Sequence, residues 1–546
     1  MTYSKSRHCS VVVGPHPHVS QCARGPTPAH TRSTPSALAR AAGALPALAT
    51  LAPLATDSEL LGPTSVCFRA PSIAIVALAS LMTACTVGPK YVRPTVETPP
   101  PTFKEAAAAT PGVSWAPATP ADAAVKGDWW TRFQDSELEA LEKRVDVSSQ
   151  TIQQAAAQFQ DARALYAGTR AAYFPTVTAN PSITRQRLSG TRSNQVITSQ
   201  TGNAYALPID ASYEADVWGR VRQSVAAGRA GMQASAADLE NVRLSVHAEV
   251  AADYLQIRAL DAETALLEDT IEAFQKALDL TTNRYNAGVA SRSDVAQAQA
   301  QLEATRADAI DLGVQRAQLE HAVAVLVGQL PSSFSVPKAP LSGDPPGIPL
   351  TLPSELLQRR PDIAAAERRV AGANAQIGVA TAAFFPSLLL SASGGFQSSR
   401  LGDWLNWPSR FWSLGPSLAL TIFDGGARRA VRDEARATYD QTVAEYRESV
   451  LTAFQDVEDN LAALRILAEE AQTEQAAVNA ARQSLEIALN QYRGGLVSYL
   501  QVTTAQSAAL TDERASLNVL ARRYTASVQL VKALGGGWDA SMIPQR

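Results

Sequence analysis

The chain has 546 residues, and its 48 Lys and Arg residues nearly balance its 51 Asp and Glu residues, for a formal net charge of −3. Such a balance offers no basic face of the kind that nucleic-acid binding requires. Aromatic residues make up only 6% of the chain while alanine is abundant, and this composition favours long, closely packed helices over a large aromatic core.

Residues 1–84 are predicted to be a leader that the mature protein lacks. Residues 1 to about 65 are rich in Pro, Ala, Ser and Arg without periodicity. We interpret them as an extension from a misassigned upstream start, with Val66 as one candidate initiator. The apolar run from Ser72 to Met82 is far shorter than the ~20 residues of a spanning helix and is typical of a signal-peptide core.

A cysteine follows this run at once, in Thr83-Ala84-Cys85. Small residues before a cysteine resemble the bacterial lipobox, in which the cysteine is acylated and becomes the new N-terminus. Met82 replaces the usual Leu, and a buried cysteine after an apolar strand is the alternative. We predict lipidation at Cys85, which anchors a protein to a membrane without spanning it.

The inventory of catalytic and metal-binding side chains is poor. All four cysteines lie at or before Cys85, and only His247 and His321 follow the leader. Both histidines fall in helical patterns, where a solvated or packed surface is the ordinary interpretation. No Gly-x-Ser-x-Gly, His-Glu-x-x-His or phosphate-loop motif occurs in the sequence, so we predict no enzyme, no metal site and no cofactor beyond the lipid.

The mature chain contains an internal repeat. Ala171-Ala-Tyr-Phe-Pro175 recurs as Ala382-Ala-Phe-Phe-Pro386, and Asn283-Arg-Tyr-Asn-Ala-Gly288 recurs as Asn490-Gln-Tyr-Arg-Gly-Gly495. The order of motifs is the same in both halves, so the chain is predicted to be a duplication. Each half is expected to run helix, strand, loop, strand, very long helix, tight turn and helix.

Two very long helices are predicted, from about Arg220 to Thr282 and from about Arg428 to Gln491. Apolar residues recur in steps of three and four, as in Tyr439, Val443, Tyr446 and Val450. Such spacing gives each helix one apolar stripe, which is typical of a coiled-coil seam. A helix of roughly 60 residues is about 90 Å long, and no compact domain has that dimension.

Four segments show the alternation of strands, near residues 173–186, 204–217, 384–397 and 411–424. In one, Trp412, Leu414, Pro416, Leu418, Leu420 and Ile422 alternate with small or polar residues. This pattern indicates transmembrane barrel strands, with an amphipathic soluble sheet as the alternative. Asp210, Glu214 and Asp216 are expected on the water-filled face of one strand, lining the barrel lumen.

Four strands cannot close a barrel by themselves, because open edges in lipid leave backbone groups unpaired at several kcal/mol each. Closure therefore requires further copies of the chain. Two copies would supply eight strands and three copies twelve, and these residues do not choose between them.

Together the motifs resemble one family, the TolC-like outer-membrane efflux factors, in their lipidated OprM/NodT branch. The marks, in order, are Cys85-Thr-Val-Gly-Pro-Lys-Tyr91-Val-Arg-Pro94, Gly127-Asp-Trp-Trp130, Asp216-Val-Trp-Gly-Arg220, Arg359-Arg-Pro-Asp362-Ile, Phe423-Asp-Gly-Gly426 and Lys532-Ala-Leu-Gly-Gly-Gly-Trp538. The resemblance implies a homotrimer with a shared twelve-stranded membrane β-barrel, a long α-helical coiled-coil barrel and a mixed equatorial belt. It also implies docking to a periplasmic adaptor and an inner-membrane pump, often of the resistance–nodulation–division type.

The two helix–helix turns would then form the closed periplasmic entrance and the adaptor contact. The residues concerned are Tyr285, Gly288, Ser291, Asp294, Tyr492, Gly495 and Ser498. Glycine permits a positive φ at such a turn, and Ser291 and Ser498 are suitable N-caps. By resemblance, Asp294 and Tyr492 match gate-bonding positions, whereas Gln501 and Thr504 replace the family's usual acidic residues and put an acidic constriction in doubt.

The chain is expected to comprise six segments. The leader (1–84) precedes a lipidated equatorial segment (85–130), a first repeat (131–330), an equatorial linker (331–355), a second repeat (356–534) and a tail (535–546). We expect a gated duct of an efflux system in the outer membrane, extending into the periplasm. The alternative is a lipid-anchored periplasmic scaffold or adaptor, although adaptors have one helical hairpin rather than two. The cargo cannot be predicted from these residues.

Overall fold

A computed structural model describes residues 86–96, 102–107, 127–187, 201–348 and 353–544. The chain divides into two units, Met1–Arg69 and Ala70–Arg546, and every described residue belongs to the second. Residues 1–84, with the predicted signal peptide and Val66, and the predicted lipidation site Cys85 lie outside the described residues.

Nine helices and five strand segments make up the described part. The helices are α1 (Lys104–Ala107), α2 (Ser136–Ser148), α3 (Gln150–Ala171), α4 (Arg220–Asn286), α5 (Arg292–Leu326), α6 (Pro353–Arg359), α7 (Pro361–Ala382), α8 (Ala427–Arg493) and α9 (Tyr499–Ala533). The strands are β1 (Thr176–Ala179), β2 (Ser182–Arg187), β3 (Thr201–Ala215), β4 (Ser387–Ser398) and β5 (Arg410–Ala419).

The duplication is visible in the helix lengths. Helices α3 and α7 both have 22 residues, α4 and α8 both have 67, and α5 and α9 both have 35. A helix of 67 residues is about 100 Å long at 1.5 Å per residue. The mixed fold class predicted above, long helices with a membrane-type sheet in a duplicated chain, is therefore confirmed.

The five strands form one antiparallel sheet in which β3 lies beside β4 and β4 beside β5, while β1 and β2 pair with successive parts of β3. The structure therefore has four strand positions, as predicted, but the first is divided into two segments. Asn180 and Pro181 separate β1 from β2, because proline has no N–H to donate to the ladder.

The strand ends differ from the sequence prediction. The first strand begins at Thr176, after Pro175, and the last ends at Ala419 instead of continuing to residue 424. Alternation of apolar residues continues to Ile422, but Asp424 there already belongs to the approach to α8, where its carboxylate accepts the Gly426 and Arg428 backbone N–H groups. Strand β5 therefore ends before the alternating pattern does, because Asp424 already caps the start of α8.

The main core lies halfway along the two long helices. It includes residues 246–257 of α4 and 446–461 of α8, packed with α2, α7, α9 and the aromatic pair Trp129 and Trp130. Arg360, the N-cap residue of α7, ties this region together by donating to Asp456 of α8 (3.0 Å) and to the Ala533 carbonyl of α9 (3.3 Å). Within the Arg359-Arg-Pro-Asp362 motif, Arg360 is thus the N-cap residue of α7 and Pro361 its first residue.

None of the helices described above combines the length and apolar character that crossing a bilayer requires.

We expect Gly328→Ala to destabilise the fold strongly. Gly328 ends α5 with a φ of +70°, and a Cβ there would lie 2.1 Å from the Ser148 carbonyl oxygen. Gly343 has a similar φ of +81° but open space around it, so Gly343→Ala isolates the backbone strain. Gly343→Ala should cost about 1 kcal/mol, and Gly328→Ala about 3 kcal/mol. Urea unfolding followed by circular dichroism measures both, and equal midpoints would contradict the steric explanation.

Candidate functional site

One face of the sheet is apolar from edge to edge. Residues paired across an antiparallel ladder lie on the same face, and the register connects Leu414 to Ala392, Ala392 to Ala211 and Ala211 to Val177. We call this surface the apolar face. Its central members are Val177, Ala179, Ile183, Tyr205, Leu207, Ile209, Ala211, Tyr213, Leu388, Leu390, Ala392, Phe396, Trp412, Leu414, Pro416 and Leu418.

Much of the apolar face is exposed on the single chain. Trp412 is 80% exposed, Leu414 77% and Ile183 67%. An exposed apolar surface of this extent marks an interaction site or a lipid contact. The alternation that predicted barrel strands therefore corresponds to a real two-sided sheet.

The opposite face is polar and carries two of the three predicted lumen residues. The Ser393 hydroxyl donates to Asp210 (2.6 Å) from the neighbouring strand. Glu214 accepts two bonds from the Arg220 guanidinium, at 2.7 and 2.5 Å. Asp210 thus lies on the polar face of the sheet, and its place in a lumen stays a prediction, whereas the charge of Glu214 is paired at the junction between β3 and α4.

Asp216 does not lie on the strand with Asp210 and Glu214, which corrects the sequence prediction. Strand β3 ends at Ala215, and the Asp216 carboxylate accepts the Val221 and Arg222 backbone N–H groups at 3.0 and 2.8 Å. Its role is to cap α4 where the helix leaves free N–H groups, and Arg222 adds an ion pair at 3.1 Å. Asp424 has the same role before α8.

Both edges of the sheet are open on the single chain. Among the described strands, β5 pairs only with β4, and β1 and β2 pair only with β3. Each edge thus presents a row of backbone N–H and C=O groups without strand partners. The apolar face and the open edges belong to the same strands.

The second group of predicted site residues lies at the opposite ends of the long helices. Helix α4 turns into α5 around Gly288 (φ +76°), and α8 turns into α9 around Gly495 (φ +74°). Tyr285 is 43% exposed at the first of these tips. The positive φ predicted for both glycines is confirmed, since only glycine adopts this conformation without strain.

The two tips are capped differently. Ser291 and Asp294 form a reciprocal capping box at the start of α5, with bonds of 3.1 Å in each direction. Ser498 is the N-cap residue of α9, but its side chain makes no capping hydrogen bond. The prediction of an N-cap is thus confirmed by bonding at Ser291 and only by position at Ser498.

The two tips contact each other through the first-repeat Arg284. Its guanidinium donates to the Arg493 carbonyl (3.1 Å) and lies 4.8 Å from the centre of the Tyr492 ring. Tyr492 is buried against Tyr499 with an edge-on ring contact. The Tyr492 hydroxyl points to Thr281 of α4 at 3.5 Å, so within one chain Tyr492 joins the two hairpins.

Tyr499 is the most shielded titratable group at the tips. Burial raises its pKa to about 12, and the nearby Tyr492 and Asp294 act in the same direction. Gln501 and Thr504 lie on the exposed side of α9, in the wall of a groove of about 700 Å³ between α8 and α9. The tips therefore have a neutral, aromatic interior and an exposed amide and hydroxyl outside.

A cluster that the sequence did not predict lies in the middle of the molecule. His247 of α4 bonds Glu142 of α2 at 2.6 Å and Asp146 at 3.3 Å, and its ring stacks on Trp130 at 4.7 Å. His247 is a buried residue, not a surface one, whereas His321 is exposed. The one sequence signal for this contact was the four-residue spacing of Glu142 and Asp146, which places both carboxylates on one face of a helix.

Burial raises the pKa of the Glu142 carboxyl to about 7, although its bond to His247 acts in the opposite direction. For His247, burial opposes the charged ring, but the bond and charge of Glu142 outweigh it and raise the pKa. The pair therefore holds a proton more tightly than the unfolded chain does. Within the described ranges, no group of three or more His, Cys, Asp or Glu residues is placed to hold a metal ion.

Comparison with known proteins gives one consistent result. The outer membrane efflux protein family model matches residues 143–329 and again residues 352–536. The outer membrane protein OprJ of Pseudomonas aeruginosa is 33% identical over 485 residues, which cover 86% of this chain and 97% of OprJ. The toluene efflux pump outer membrane protein TtgC of Pseudomonas putida is 32% identical over 468 residues, 85% of this chain and 95% of TtgC.

Solved structures agree with the sequence matches. The outer-membrane channel OprN superimposes with a TM-score of 0.77 at 30% identity, covering 83% of this chain and all of the OprN chain. The two ranges that match the family model lie in the two repeats, and the superposition covers the whole OprN chain.

The Glu142–His247 pair predicts a pH dependence of stability. Because folding raises the pKa of both Glu142 and His247, the folded pair binds more protons than the unfolded one as pH rises toward neutrality, which favours the folded state at low pH. The thermal midpoint should therefore fall as pH rises through about 7, and Glu142→Gln should flatten this fall by several degrees.

Glu139→Gln is the matched control, because Glu139 is on the same helix α2 but exposed and paired with Lys143. Its midpoint should follow the wild-type pH profile. An unchanged slope in Glu142→Gln would show that the buried pair does not control the proton balance.

Proposed function

Because the chain belongs to the outer membrane efflux protein family, we propose that three copies of it form the gated exit duct of a tripartite pump. The chain is the outer-membrane component of an efflux system and a TolC-like channel protein. The proposal adds the stoichiometry, the closed barrel, the gate, the lipid anchor and the class of pump. The single observation that carries it is the apolar-faced sheet with two open edges.

In lipid, such a sheet is stable only when its edges are paired. Every unpaired backbone group in hydrocarbon costs several kcal/mol, so an open sheet must close with neighbours. The four strand positions of one chain supply twelve in a trimer, with β5 of one protomer beside β1 and β2 of the next. The apolar face then meets lipid, and Asp210 lies on the inner face.

The long helices favour the same assembly. In α4, 25 of the 67 residues are buried, whereas in α8 only eight of 67 are buried. Helix α8 has one buried stripe, and apolar residues such as Val431, Leu451 and Ile466 stay exposed at 53, 56 and 51%. Neighbouring copies would cover these residues in a helical barrel of six hairpins.

The hairpin tips would form the periplasmic gate. Asp294 and Tyr492, assigned by family resemblance, lie at tips that one protomer already joins through Arg284 and Tyr492. Opening requires the tips to separate, and the polar bonds there hold the closed state. Gln501 and Thr504 bring no charge to the entrance.

The proposed partners are a periplasmic adaptor at the tips and an inner-membrane pump of the resistance–nodulation–division type. Cys85 would carry the lipid that anchors the start of the mature chain in the outer membrane. Toluene is named for one relative, and for this chain the cargo is a small molecule chosen by the pump.

The assembly is tested with purified mature protein in detergent and in planar bilayers. Light scattering should give the mass of three copies, and reconstituted protein should show rare, brief openings. A single-chain species that stays soluble without detergent would refute the proposed duct.

If Asp294 and Tyr492 hold the gate closed, the double variant Asp294→Ala, Tyr492→Phe should raise the open probability of the channel about tenfold or more. The reason is that it removes two polar bonds of the closed state, each contributing about 1 kcal/mol. Ser291→Ala is the control, because it removes the capping bond to Asp294 and leaves the carboxylate. If the double variant conducts like wild type, or no more than Ser291→Ala, Asp294 and Tyr492 do not hold the gate.

Lipidation predicts that cells expressing the full chain incorporate radioactive palmitate into this protein, and that Cys85→Ser abolishes the label. Cys67→Ser is the matched control and should leave the label intact. Mass spectrometry should show a mature chain that begins at residue 85. Equal labelling of wild type and Cys85→Ser would place the lipid elsewhere.

A further inference from the structure

Three arginines lie on the apolar face, all at one end of the sheet. On β2, Arg185 and Arg187 follow Ile183 on the same face, opposite Asn203 and Thr201 of β3. On β5, Arg410 precedes Trp412 on that face and pairs with Phe396 of β4. We call Arg185, Arg187 and Arg410 the arginine collar. Arginines at such positions of a membrane face attract anionic groups and water.

The collar belongs to the hairpin ends of the strands, away from the helices. Arg185 and Arg187 lie at the end of β2 that precedes the connection to β3, and Arg410 is the first residue of β5 after the connection from β4. The other ends of β3 and β5 lead into α4 and α8. Since the long helices extend into the periplasm in the proposed duct, the collar lies at the outer leaflet.

The charge of this end is strongly one-sided. Among the described residues near this end, 182–187, 201–209 and 396–412, there are Arg185, Arg187, Arg400 and Arg410 but only one acidic residue, Asp403. Asp403 accepts a bond from Asn406 in its own loop (3.4 Å). Of the acidic residues of the sheet region, Glu214 and Asp216 come at the other end, and Asp210 lies midway, paired with Ser393 on the opposite face. An excess of cations at one interface attracts anionic lipid headgroups.

The surroundings of Arg410 fit a lipid headgroup. Its guanidinium lies 3.9 Å from the centre of the Trp407 ring, and Trp407 and Trp412 are 71 and 80% exposed. Tryptophans of this kind occupy the boundary between hydrocarbon and headgroups. An arginine held against an indole at this depth presents its planar donors to a phosphate while its stem stays among apolar groups.

From the collar we infer a binding site for the phosphate groups of the phosphorylated glycolipid that forms the outer leaflet, lipid A. In the proposed trimer, β5 of one protomer lies beside β2 of the next, so Arg410 of one copy and Arg185 and Arg187 of its neighbour face one seam. Each of the three seams then carries three guanidinium groups. The inference rests on the proposed barrel and goes beyond it, since a barrel can close without any lipid preference.

Native mass spectrometry of the purified full-chain trimer tests the site, with hexa-acylated lipid A as the probe. Lipid A should bind, and dephosphorylated lipid A and dioleoylphosphatidylglycerol should each bind at least about tenfold more weakly. The variant Arg185→Gln, Arg187→Gln, Arg410→Gln should lose lipid A affinity by at least about tenfold, given the contribution of each arginine near an anionic surface.

Two further variants separate charge from position. Replacing the same three arginines by lysine should preserve binding to within a few-fold, which guards against a folding defect. The matched control, Arg163→Gln, Arg429→Gln, Arg436→Gln, removes the same charge from exposed helix positions and should bind lipid A like wild type.

Equal lipid A binding by wild type and the collar glutamine variant, or an equal loss in the helix control, would overturn the site. Phosphatidylglycerol binding as tightly as lipid A would overturn the assignment to the glycolipid. Bilayer conductance of the collar variant reports on the duct independently: a conducting trimer with unchanged lipid affinity refutes only the collar, whereas a chain without trimers refutes the duct.

Discussion

The structure depends on one constraint, the pairing of backbone groups in a sheet that has lipid on one side. The apolar face runs across all strands in register, and both edges of the sheet are open. A soluble protein would cover such a face with a second layer, whereas here Trp412 and Leu414 stay exposed. In the proposed barrel such a sheet would be stable only as a closed ring, and membrane insertion would be coupled to the assembly of copies.

In the proposed duct, closure of the periplasmic entrance also constrains the lengths of the helices. If one hairpin were longer than the other by a single turn, its tip would project about 5.4 Å beyond its neighbour and the entrance would not close. The 67- and 35-residue helices recur in both repeats, although few residues in them are identical. The proposed duct would account for these equal lengths, and the core halfway along α4 and α8 packs the two repeats together.

Much of this architecture follows from local sequence signals. The long helices were predictable because apolar residues recur in steps of three and four, and their observed bounds differ from the prediction by a few residues. The sheet faces were predictable from alternation, but Asp216 was not, because a carboxylate beyond the strand end caps a helix instead. The contact of His247 with Glu142 joins residues 105 positions apart, and no periodicity encodes such a pair.

The two repeats differ in how their hairpin tips are held. At the first tip, the Ser291–Asp294 capping box satisfies the helix start within a single hairpin. At the second, Ser498 makes no side-chain cap, and the tip is held by the packing of Tyr492 against Tyr499 and by the bond from Arg284 of the other repeat to the Arg493 carbonyl at the end of α8. A self-contained tip keeps its structure when its neighbour withdraws, while a tip held by contacts across the repeats loses them. In the proposed gate, opening would therefore cost most at the second-repeat hairpin, where Tyr492 and Arg284 meet.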